Sequence, residues 1–108
     1  MAQNFRRYTS NDVGTSAATL FTADSYDTVV GISLANVTAS AINVSVYIND
    51  GVNDIYLVKD APIPQGSQLQ VLDGGAKYVV QTGDALKVVS DTASSVDVWV
   101  STVDAIST

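Results

Sequence analysis

Apolar and polar residues alternate along most of this chain. In residues 28–38, Val30, Ile32 and Leu34 fall on one side and Ser33 and Ala35 on the other. In residues 42–50, Ile42, Val44, Val46 and Ile48 read inward, while Asn43, Ser45, Tyr47 and Asn49 read outward. Leu69 and Val71 in 68–73, Leu86 and Val88 in 85–91, and Val96, Val98 and Val100 in 95–104 continue the pattern. A period of two belongs to a strand that rests one face on a core. Shorter strands are predicted at 18–23, 54–60 and 77–82. Asp50-Gly51, Asp73-Gly74-Gly75 and Gly83-Asp84 punctuate them as turns, because glycine accepts the positive φ of tight reversals. Pro62 and Pro64 lack a donor N–H, so residues 62–67 are predicted at an edge or in a crossing between sheets. No segment has the helical period and no internal repeat emerges. About eight short strands at this spacing predict an all-β chain, an antiparallel β-sandwich or jelly-roll-like domain. It would span residues 17–108, preceded by an extended N-terminal arm, residues 1–16, whose sequence is polar and aperiodic.

Composition sharpens this. All eleven acidic residues among the 108 are aspartate. Aspartate favours turns and caps, and glutamate, a helix former, is absent. The chain has no cysteine and no histidine. Disulfides and thiolate chemistry are thereby excluded, and serine or threonine nucleophiles lack their usual base. Lys59, Lys77 and Lys87 read as solvated strand positions. Gly74-Gly75 lacks the lysine and following helix of a phosphate loop. Paired aspartates could serve glycoside hydrolysis, but no deep-pocket scaffold is predicted in so small a sandwich. The expectation is a non-enzyme without a cofactor. A net charge of −6 disfavours nucleic acid as a partner. No apolar run is long enough for a membrane helix, and "MAQNFRRYTSNDVG" shows no secretory h-region.

Four features stay open. Asp50, Asp54 and Asp60 suggest a hard cation such as calcium, although their spacing matches no EF-hand loop and turn chemistry explains them equally. Asn36-Val37-Thr38 and Asn43-Val44-Ser45 match a glycosylation sequon. Tyr47 and Trp99, the single tryptophan, both fall on outward positions. For Trp99 the alternatives are burial in a subunit contact or under the arm, plain exposure, or stacking on a sugar.

The order of motifs adds a resemblance. "GISLAN", then "YLVKDAPIPQGSQL", "DGGAK", "QTGDALKV" and "SVDVWVS" follow one another across residues 17–104. This succession resembles small all-β virion proteins encoded in the structural modules of tailed phages, as in phages of marine cyanobacteria. Where that family carries "V-P-A-G-K" near the first strand, this chain has "TADSYDT", which keeps a turn but loses the proline and lysine. The resemblance implies a non-enzymatic protein located in the virion. It would be a homo-oligomer bound to other virion proteins, such as the major capsid protein or neck and tail proteins. Decoration or cementing of the capsid is the leading expectation. A neck, tail or baseplate accessory, or a host-surface or carbohydrate-binding module, are the alternatives. Phe5, Arg6, Arg7 and Tyr8 would anchor the arm on a neighbour, with Tyr47 and Trp99 as further interface residues. No catalytic, cofactor or metal residue is implied.

Overall fold

The computed structural model describes residues 4–23, 27–71 and 78–104. They hold nine strands and no helix: β1 Asn4–Val13, β2 Ala18–Thr22, β3 Asp27–Asn36, β4 Ile42–Asn49, β5 Asp54–Ile63, β6 Gln68–Gln70, β7 Tyr78–Val80, β8 Ala85–Ser90 and β9 Val96–Asp104. The strands form two antiparallel sheets. One runs β1-β9-β3-β6, with β7 also paired to β3; the other runs β2-β8-β4-β5. The domain is a β-sandwich, as the alternation predicts. Its only consecutive neighbours are β4 and β5. Except between β6 and β7, which both pair with β3, every other pair of consecutive strands lies in different sheets, so the pairing is non-local.

The inward positions supply the core. Ile32 and Leu34 of β3, Val96, Val98 and Val100 of β9, Val44 and Val46 of β4, and Leu86 and Val88 of β8 are all buried in one cluster. Each such side chain contributes about 1.5–3 kcal/mol by leaving water. Leu69 and Val71 pack half-buried against the same cluster.

The structure departs from the alternation at three places. Residues 4–13, expected in an extended arm, form β1 and pair with the chain's own β9 from Asn4↔Asp104 to Val13↔Val96. The period was hidden because β1 is an edge strand with few inward anchors. Tyr8 stacks on Phe21, ring centres 4.5 Å apart, and Val13 is buried. A bulge between Ser10 and Val13, with Asp12 at φ 55°, breaks the spacing between them. In β3 a register shift between Val29 and Gly31 buries Val29 and leaves Val30 exposed, so Val30 does not share the face of Ile32. Finally, Tyr47, which reads outward, is buried. By contrast Pro62 lies in β5 at the edge of its sheet, one of the two places expected for it. The predicted Asp73-Gly74-Gly75 turn and Lys77 lie outside the described residues.

One side chain ties the two crossings at one end of the sandwich. Asn36, at the end of β3, donates from Nδ2 to the carbonyls of Ser40 (2.7 Å), Ile63 (3.0 Å) and Pro64 (3.3 Å). Its Oδ1 accepts from the N–H and hydroxyl of Thr38. The β3–β4 and β5–β6 connections are held together by a single amide.

Candidate functional site

The outer face of the β1-β9-β3-β6 sheet carries the chain's most distinctive surface. β9 lies between β1 and β3, and Trp99 sits opposite Thr9 on one side and Ser33 on the other. Both cross-strand neighbours are small, so nothing covers the indole and it is 51% exposed. The ring is nevertheless restrained. Its Nε1 donates to Ser101 Oγ at 3.3 Å, and the Arg7 guanidinium carbon lies 5.5 Å from the ring centre. Such a cation–π contact at an exposed site is worth about 0.5–1 kcal/mol.

On the side of Trp99 away from Arg7 and Ser101, the face sinks into a concavity of about 390 Å³. Thr9, Asn11, Ser33, Ala35, Asp97 and Trp99 line it. Three elements build it. β9 presents Asp97 and Trp99 two residues apart, on one face by the strand period. β3 contributes Ser33 and Ala35, whose small side chains form the floor. The β1 bulge turns the Asp12 N–H onto Asp97 Oδ1 at 3.0 Å, which holds the carboxylate in place. Ser33 Oγ donates to Gln68 Oε1 at 3.0 Å and accepts from Gln70 Nε2 at 3.5 Å, linking the floor to β6.

The interface residues expected from sequence separate. Arg7 reaches Trp99, while Arg6 is exposed and lies opposite Thr102, on the other face of the strand. Phe5 is placed by its backbone opposite Val103. Tyr8 turns inward onto Phe21, so it is part of the core rim and not an anchor for a partner. Tyr47 belongs to the other sheet and is only 8% exposed. It points away from the core cluster as predicted, but Tyr56 of β5 covers it, ring centres 5.0 Å apart. Burial, followed by the nearby Asp54 carboxylate and Tyr56, raises the Tyr47 hydroxyl above its ordinary value of 10.0. Tyr47 and Trp99 therefore do not form one surface. Asn11, Asp97, Thr9 and Ser33 were missed as a group, because only the β1–β9–β3 register brings them together.

The aspartates around the β4–β5 hairpin do turn chemistry. Asp50 Oδ1 accepts from the N–H groups of Asn53 (2.8 Å) and Val52 (2.9 Å), which hold its carboxyl below the ordinary carboxylate value. Asp54 Oδ1 accepts from Asn49 Nδ2 at 2.7 Å. Among the described residues no group of three or more acidic side chains is placed to hold a metal ion. The Asn36 sequon is a structural amide, 6% exposed with its nitrogen committed to carbonyls.

No family model and no curated protein matches the chain. Among solved structures, it is similar to a protein from Bacillus endospore appendages, described as a novel family of disulfide-linked pili. The two share 14% identity over 94% of this chain and 84% of that chain, with a TM-score of 0.56, which is a likeness of fold.

Proposed function

We propose that this chain is a non-enzymatic structural subunit that assembles with neighbouring subunits through the edge of β1. The observation that carries this is the state of the sheet edges. β5 is bulged twice against β4 and carries Lys59 and Pro62. β2 is short and bulged, and β6 and β7 are shorter still. Those are the devices by which natural proteins close an edge to strand addition. β1 is neither short nor bulged from Asn4 to Ser10, where its pairing with β9 is regular and Arg6 and Arg7 are its only charges. An incoming strand would satisfy the backbone groups on its outer side.

Charge selects the partner. Arg6 and Arg7 are exposed on β1 of a chain whose net charge is −6. A two-fold pairing of β1 with β1 over residues 4–10 would set Arg7 against Arg7, which is unfavourable. The addition is therefore heterologous, β1 of one subunit meeting a different, acidic segment of the next, a mode that builds rings or filaments. The pilus neighbour supports an assembling role; its family is described as disulfide-linked, whereas this sequence contains no cysteine, so these residues form no such link. The motif succession across residues 17–104 supports the finer reading, a tailed-phage virion protein that decorates or cements the capsid or serves the neck, tail or baseplate.

Light scattering on the full chain tests the assembly. The Arg6→Asp, Arg7→Asp double variant should need about tenfold more protein to reach half assembly. A wild-type chain that stays monomeric at every concentration, alone and with acidic partner subunits, would refute it. Mass spectrometry of purified phage particles tests the virion reading, which absence of the chain would sink.

A further inference from the structure

We propose that the concavity beside Trp99 is a binding subsite for a neutral saccharide. This goes beyond the assembly reading and does not depend on it. Its volume of about 390 Å³ falls within the range of about 300–1,000 Å³ typical of small-molecule sites. Trp99 forms one wall. An aromatic face carries negative charge density, and the C–H face of a pyranose ring, with its slight positive charge, packs flat on it. The rest of the lining offers directional polar groups. Asp97, the Asn11 amide and the Thr9 and Ser33 hydroxyls stand around the wall. A carboxylate accepts from adjacent sugar hydroxyls, and an amide both donates and accepts.

The site is also held before a ligand arrives. Ser101 and Arg7 restrain the indole, and the Asp12 N–H fixes Asp97 through Oδ1 while leaving Oδ2 for a ligand. Preorganisation of this kind lowers the cost of binding. Other ligand classes fit worse. An anion would meet the Asp97 carboxylate in an acidic chain. A cation would meet an indole already engaged by the Arg7 guanidinium. A protein partner seated here would bury Asp97 and Ser33 in an interface core, where aspartate and serine are depleted.

Trp99 is the single tryptophan, so tryptophan emission, excited selectively over the five tyrosines, reports on this wall alone. The full chain is titrated with glucose, galactose, mannose, N-acetylglucosamine, cellotriose and chitotriose, each to about 50 mM, the range of weak sugar affinities. At least one should give a saturable change in emission. Asp97→Asn keeps an acceptor for the Asp12 N–H and so preserves the fold. It should weaken that sugar at least about tenfold, the effect of losing a charged acceptor. Trp99→Ala, followed by calorimetry, should abolish measurable binding while thermal melting confirms the folded state. Flat titrations across the whole set would overturn the proposal. So would sugar binding that both variants leave unchanged.

Discussion

Replacing Asn36 with alanine should destabilise the sandwich out of proportion to the size of the side chain. Asn36 lies at the seam between the sheets. Its Nδ2 serves the carbonyls of Ser40, Ile63 and Pro64, and its Oδ1 serves Thr38. The bond to Ile63 is buried, the others are part-buried. Alanine leaves the Ile63 carbonyl in the interior without its donor, at about 1–3 kcal/mol for an orphaned buried acceptor. The part-buried partners can recover water, so losing them adds only about 1 kcal/mol. The expected loss is about 2–4 kcal/mol, a large share of a typical domain stability of about 5–15 kcal/mol. Urea unfolding followed by circular dichroism measures it, with the midpoint falling and the slope unchanged. In thermal melting the same loss lowers Tm by roughly 10–20 °C. Asn36→Asp should be at least as costly at neutral pH, because it aims a carboxylate at carbonyl oxygens. A loss below about 1 kcal/mol for Asn36→Ala would refute the reasoning and show that water reaches the Ile63 carbonyl.

Two further outcomes follow from buried polar groups. Thr102 is 1% exposed and its Oγ1 has no hydrogen-bond partner among the described residues. Thr102→Val keeps the shape and removes the orphan, so stability should rise by about 1 kcal/mol, read as an increase in Tm of several degrees. The Tyr47 hydroxyl is held in its neutral form by burial, Asp54 and Tyr56, so its folded pKa lies above the ordinary 10.0. The stability it contributes is present below pH 10.0 and is lost as pH rises through the folded value. Urea midpoints measured from pH 9 upward should fall in the wild type and fall less steeply in Tyr47→Phe; equal slopes would remove Tyr47 as the cause.

The period of two determined a great deal without any knowledge of contacts. It placed Val44 and Val46 of β4, Val88 of β8 and Val96, Val98 and Val100 of β9 inward, and it gave no helical period, because side-chain direction in a strand is a property of neighbouring residues alone. It also set Trp99 on the outer face. What covers an outward residue is another matter, decided by the strand opposite. Tyr47 and Trp99 read alike in sequence. Tyr47 met Tyr56 across β4–β5 and became buried, while Trp99 met Thr9 and Ser33 and stayed open. Bulges shift the period silently, which is why Val30 changed sides and β1 passed for an arm. The Asp12–Asp97 bond joins residues 85 positions apart, and Asn36 gathers carbonyls from two separate crossings. Register, edges and the Trp99 concavity come from pairings between distant segments, whose closure depends on the fold as a whole and leaves no local trace in the chain.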